Sequence, residues 1–198
     1  MIALDVETTG LDPKTCSIVS LGAVDTDHPE NQFYDECGVW EGAHLSDEAL
    51  AIHGFTREEL TNGSRKSEAE LIRAFVAWAC DRPENRTFVA QNVSFDHEFV
   101  LQACKRAGVE FPFAKRTLDI HSLVWMHMEY AGVPQPVGNK HSLISLDFAL
   151  RYCGIPEEPK PHNALTGALS HAEVFARVAY TKKLLPDFSS FDIPWQTS

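Results

Sequence analysis

The chain has 198 residues, 44% of them hydrophobic and 23% charged, and a formal net charge of -11 at pH 7. That length and apolar content suit one α/β domain with a substantial core. No stretch approaches the roughly 18 apolar residues of a membrane span, and the first residues read as a buried strand, not a leader. The acidic balance weighs against general binding of double-stranded DNA, where affinity for the backbone comes largely from Lys and Arg. It leaves open an enzyme that meets a polyanion locally through metal ions. Cys16, Cys37, Cys80, Cys104 and Cys153 are dispersed without a CxxC pair. They are expected to be reduced thiols in a cytoplasmic setting.

In chain order, MIALDVE sets Ile2, Leu4 and Val6 against Ala3, Asp5 and Glu7, the period of a strand. SIVSLGAVD is a second, β-branched run, and the Gly- and Pro-bearing TTGLDPKTC between them predicts a hairpin. NQFYDECGVW is a third strand, and HLSDEALAIHGFTREEL a set of short helices and turns. SEAELIRAFVAWACDR has helical spacing, with Ser67 and Glu70 as a capping box. RTFVAQN reads as a short buried strand. SFDHEFVLQACKRAG then reads as a helix ended by Gly108. TLDIHSLVWMHMEY runs from a strand end into a helix, AGVPQPVGNKH is a loop, and SLISLDFALRYCG is helical. HNALTGALSHAEVFARVAYTKKLL is a long helix. A division into a domain over residues 1–185 and a surface tail over 186–198 follows, with the tail aromatics Phe188, Phe191 and Trp195 docked on the domain. Three strands, a helix, a fourth strand and then mostly helix imply a mixed sheet flanked by helices.

Three motifs carry chemistry. Asp5 and Glu7 lie two apart on a strand and so project from one face. Carboxylates that close repel unless a proton or cation lies between them, and hard divalent cations take such oxygen ligands. The plainer reading makes them the exposed face of an edge strand. The Thr-Thr-Gly-Leu that follows adds hydroxyls and N–H groups able to grip a phosphate or sugar. In FVAQNVSFDHEFV a buried strand delivers Asn92, and Asp96 falls near a helix start, as a ligand or as a partner of the helix terminus. Phe95 and Phe99 share a helical face and read as core. In PHNALTGALSHAEVF, His162 precedes a helix, where an imidazole can reach a cleft and take a proton from water near neutral pH.

D-x-E-T-T-G-L, then N-x-x-F-D-x-x-F, then H-N-A-x-x-x-A followed by A-E resemble, in order and spacing, the three motifs of the histidine-bearing DEDD exonucleases. The resemblance runs from Asp5 to about Leu184. It implies an RNase H-like α/β fold with a mixed five-stranded sheet flanked by helices. It implies 3′→5′ removal of nucleotides from single-stranded DNA or RNA with two Mg²⁺ or Mn²⁺ ions, releasing nucleoside 5′-monophosphates. By the same resemblance Asp5, Glu7 and Asp96 are metal ligands and His162 is the general base. Thr8 and Leu11 contact the terminal nucleotide, and Asn92 and Phe99 lie beside the nucleic acid. Relatives of this kind work as homodimers or as subunits of replication or repair assemblies.

One position departs. The family's fourth carboxylate is an Asp five residues after the His, where this chain has Gly167, although His162, Asn163, Ala164, Ala168, Ala172 and Glu173 all fit. A mid-helix Gly also costs roughly 1 kcal/mol relative to Ala, with no compensating gain visible in the sequence. Neither Thr166 nor His171 is an obvious replacement. Gly167 is then an inactivating substitution, the mark of a slow enzyme with one tight and one weak or absent metal, or the mark of a nucleic-acid-binding or interaction module that kept the fold and lost the chemistry. On the enzyme reading, Gly167→Asp is expected to raise activity.

Overall fold

The computed structural model describes residues 1–81 and 85–196. Strands β1 (Ile2–Thr8), β2 (Ile18–Asp25) and β3 (Gln32–Glu36) form an antiparallel meander. Strands β4 (Phe88–Ala90) and β5 (Leu118–Asp119) continue the sheet in parallel beyond β1, giving the order β3-β2-β1-β4-β5. The mixed five-stranded sheet is therefore as expected, and β1 lies at its centre, not its edge.

The central place of β1 explains its alternation. Ile2, Leu4 and Val6 face a core built with helices α3 (Glu68–Cys80) and α4 (Val93–Ala107), filled by Phe75, Phe88 and Phe99. Ala3, Asp5 and Glu7 face the other way, beneath helix α7 (Ala164–Tyr180). A second core fills the space between the sheet, α7, α5 (Ile120–Ala131) and α6 (Leu146–Tyr152), with Val89, Ile120, Val124, Leu150 and Phe175 at its centre. Short helices α1 (Asp47–His53) and α2 (Arg57–Thr61) follow β3.

Local chemistry sets the boundaries. Ser67 and Glu70 form the expected capping box, each side chain taking the other's backbone N–H. The last residue of that expected helical run, Arg82, lies outside the described residues. Gly108 closes α4 in the left-handed conformation at φ 64°. Two expectations need correction. Within the expected loop, Val137–Gly138 (β6) pairs with His141–Ser142 (β7), so the helix expected from Ser142 begins only at Leu146. Ser145 fixes that start by accepting the Phe148 N–H. The long helix stops at Tyr180, not Leu185, with Thr181 left-handed at φ 52°.

Buried charge explains that stop. Glu173 and Arg177 are fully buried, with Nε donating to Oε1 at 2.7 Å. The other oxygen, Oε2, accepts the N–H groups of Leu184 and Leu185, which turns the chain back. Arg177 donates to the carbonyls of Cys153, Phe188, Phe191 and Asp192. Residues 186–196 are thereby tied to the body, with Phe188, Phe191 and Trp195 against the second core. Replacing Glu173 by Gln leaves a buried guanidinium without counter-charge. The expected loss is about 3–5 kcal/mol, read from urea denaturation; a loss under about 1 kcal/mol would show that the four carbonyls alone suffice.

Candidate active site

The end of β1 delivers the first two acids. Asp5 is half-buried and Glu7 is 8% exposed. The β1–β2 register shifts between Glu7 and Thr8, an irregularity of the kind that re-aims side chains beside functional sites. Asp96, in the first turn of α4, is 3% exposed and accepts the Val6 N–H at 3.1 Å. The residue between the two β1 acids thus fastens the third. Asp119 joins the starts of α4 and α5, accepting the N–H groups of Val93 and His121.

The roof of the site is the first turn of α7. Asn163 caps it by accepting the N–H groups of Leu165 and Thr166. The helix comes close to the sheet because each of the two surfaces carries a glycine at the contact. A Cβ on Gly22, the β2 partner of Asp5, would lie 2.1 Å from the Ala164 carbonyl oxygen. A Cβ on Gly167 would lie 2.3 Å from Asp5 Oδ2 and 3.0 Å from Asp5 Cβ. Gly167 therefore has the compensating gain that its sequence context hid. The space of a side chain at 167 is filled by the Asp5 carboxylate.

His162 sits on the loop before α7, its backbone N–H held by Ile52 O, with its side chain 34% exposed. It lines a cleft of about 300 Å³ together with Asp5, Glu7, Gln91, Glu158 and His171. Glu158 is an addition that sequence reasoning did not find, and His171, set aside there as a replacement for the missing carboxylate, lines the cleft. Glu158 lies four residues before His162 in PEEPKPHN, and only its place in an acidic loop beside that His could have flagged it. Its Oε1 accepts from Thr166 Oγ1 at 2.9 Å, and its Oε2 lies 4.0 Å from His162 Nδ1. His171 is buried and donates Nδ1–H to the Leu4 carbonyl. Burial pushes its pKa down to about 4, so it is neutral.

The acids are mutually unfavourable as they stand. Burial, then the charges of Asp96, Glu7 and Glu158, hold Asp5 well above the usual carboxylate range. Burial and Glu158 push Glu7 up to about 7. Burial pushes Asp96 up to about 8 against the opposing pull of its backbone N–H bonds. Such a set holds either protons or cations. All-oxygen carboxylate donors match a hard divalent cation in kind. Among the described residues no three His, Cys, Asp or Glu side chains are gathered closely enough to hold an ion as they stand.

The other expected contacts divide. Leu11 is 85% exposed on the loop after β1. Thr8 is buried and its hydroxyl donates to Gly10 O. Thr9 is fully buried and braces the loop, donating to His44 O and accepting the Ser17 N–H. Asn92 is exposed, left-handed at φ 55°, and lines an adjoining cleft with Gln91 and Asp119. Phe99 is corrected: it has no exposed surface and packs on Phe95 in the first core, with ring centroids 4.8 Å apart, so it offers no face to a nucleic acid.

The mixed five-stranded sheet with its flanking helices is an RNase H-like fold. Residues 2–175 match the family model described as Exonuclease, and the chain belongs to that family. Ribonuclease T of Yersinia pseudotuberculosis is 28% identical over 200 residues, spanning 93% of this chain and 86% of the relative. The PolC-type DNA polymerase III of Thermotoga petrophila is 34% identical over 189 residues, 92% of this chain but 12% of that polymerase. Among solved structures, the nuclease domain of 3′hExo, a DEDDh family member bound to rAMP, superposes with a TM-score of 0.69 at 17% identity, covering 93% of each chain. E. coli exonuclease I in complex with a dA16 oligonucleotide gives 0.69 at 17% identity, covering 91% of this chain and 40% of the other. These two likenesses show the shared fold.

Two outcomes are expected. Because folding raises the pKa of Glu7 and Asp96, the folded chain keeps protons that the unfolded chain has released. Without added metal, the contribution of these two acids to stability therefore falls as pH rises from about 5 to 8. Glu7→Gln removes one such group, so its thermal midpoint should fall less steeply than the wild type's over that window; parallel slopes would contradict the assignment. Gly167→Asp should not raise activity. It forces Asp5 aside and costs about 1–3 kcal/mol by overpacking. Increased cleavage with an unchanged thermal midpoint would show that α7 gives way instead.

Proposed function

We propose that the chain is a 3′→5′ exonuclease acting on single-stranded nucleic acid with divalent metal ions, Mg²⁺ or Mn²⁺. One observation carries this reading. A central strand, a helix start and a pre-helix loop, far apart in sequence, bring Asp5, Glu7, Asp96 and His162 to one locality in the order and spacing of the family's motifs. Asp5, Glu7 and Asp96 would hold the ions, which supply the positive charge that lets a phosphodiester approach an acidic cleft and that activates water. His162 would take the proton of that water. Its Nδ1 is turned toward Glu158, which leaves Nε2 for the transfer. Leu11, exposed beyond the end of β1, would lie against the terminal base. A cytoplasmic setting suits the five unpaired cysteines, and among the described residues no helix is long and apolar enough to cross a membrane.

The test is cleavage of end-labelled single-stranded DNA and RNA oligonucleotides with Mg²⁺ or Mn²⁺, read as stepwise shortening from the 3′ end. No cleavage with the oligonucleotide retained would mark a binding module instead. His162→Ala should lower kcat by about 10²–10⁴-fold while Mn²⁺ affinity stays near that of the wild type. A loss of Mn²⁺ affinity as large as that of Asp5→Ala would remove His162 from the role of base.

A further inference from the structure

Two consecutive glutamates in the loop before α7 have opposite surroundings. Glu157 is half exposed and pairs with Arg151. The Glu158 side chain is 4% exposed and has no Lys or Arg partner among the described residues. Withdrawing a carboxylate from water is costly unless hydrogen bonds or opposite charge compensate. Thr166 offers only part of that compensation, since its hydroxyl has a single proton to donate and its Oγ1 also lies 2.7 Å from Asn163 O. Among the described residues Glu158 Oε2 has no hydrogen-bond partner, and the basic group beside it is His162 Nδ1 at 4.0 Å. The carboxylate lines the same cleft as Asp5 and Glu7, and its charge raises the pKa of both. A nearly buried acid with a free oxygen, set beside other acids, lacks one component: a cation.

The position of Thr166 makes this specific. It precedes Gly167 in the first turn of α7, the turn whose expected carboxylate is missing because Asp5 fills its space. Glu158 reaches the same turn from the loop side.

We propose that Glu158 supplies the carboxylate that Gly167 lacks, binding a divalent cation together with Asp5 and Glu7, with Thr166 holding its Oε1 so that Oε2 is free for the ion. The inference rests on the nuclease reading for the place of the site, yet it concerns metal binding and is tested without cleavage.

The experiment titrates the full chain with Mn²⁺ alone, reading free Mn²⁺ by electron paramagnetic resonance. The variants are Glu158→Gln, Glu158→Asp and Glu157→Gln. Expected is at least a tenfold weaker affinity for one ion in Glu158→Gln, a smaller loss in Glu158→Asp, and wild-type binding in Glu157→Gln. The thermal midpoint of metal-free Glu158→Gln should equal or exceed the wild type's, while its rise on adding Mn²⁺ should shrink. Unchanged Mn²⁺ binding in Glu158→Gln overturns the proposal, as does an equal loss in Glu157→Gln, or no Mn²⁺ binding by the wild type. If Glu158→Gln does not fold, Glu158→Asp and Thr166→Val decide, and wild-type affinity in both overturns it. Mn²⁺ bound through Glu158 without cleavage would refute the nuclease reading and leave this one standing. Cleavage with Mn²⁺ binding indifferent to residue 158 would do the reverse.

Discussion

Everything about the site depends on how closely the first turn of α7 lies on β1 and β2. Gly22 admits the Ala164 carbonyl and Gly167 admits the Asp5 carboxylate. Ala3, Ala168 and Ala172 keep the remaining contact equally thin. A larger side chain at any of these places would lift the helix and, with it, the loop that carries Glu158 and His162. The same closeness withdraws much of Asp5 from water, and burial is the largest cause of its raised pKa. Packing and electrostatics are here one constraint: small residues bring the helix down, and the helix makes the acids need a partner.

The loops around the cleft are held by polar contacts of the same economy. Glu68, in α3, accepts from Ser17 and Ile18 and from Arg106 of α4, while Arg106 also reaches Pro13 O. Thr9 joins the same turn to His44 and Ser46. The segment after β1, with Thr8 and the exposed Leu11, is thus fastened at its base and free at its tip. A rigid base with one projecting apolar side chain suits a surface that receives the end of a flexible strand, since little ordering cost is left to the protein.

Much of this was legible in the sequence. The alternation in β1 gave the facing of Asp5 and Glu7, because side-chain direction in a strand follows from its period alone. The capping box at Ser67 and the Gly108 stop are local chemistry and read directly. What was hidden depends on contacts between distant segments. The central place of β1, the end of α7 at Tyr180 and the burial of Glu173 with Arg177 follow from long-range pairing that no window of sequence contains. Phe99 was legible as core from its spacing with Phe95, and assigning it to the nucleic acid set a motif above that physics. Gly167 is the sharpest case. Its cost in a helix was visible, but its benefit lies across the sheet, in Asp5.

Helix α7 also joins the site to the far end of the molecule. Its first turn meets Asp5, and its third and fourth turns carry Glu173 and Arg177, which fix the returning chain by backbone carbonyls and N–H groups. Buried ion pairs add little net stability over apolar packing of the same shape, because desolvation offsets their attraction. What such a pair does impose is geometry, since an unsatisfied buried charge penalises any rotation or slide of the helix. A site whose acidic groups are divided between a strand, a helix start and a loop tolerates little relative movement of its supports. The Glu173–Arg177 lock supplies that restraint at the end of α7 where no substrate needs access, leaving the first turn and its preceding loop open to the cleft.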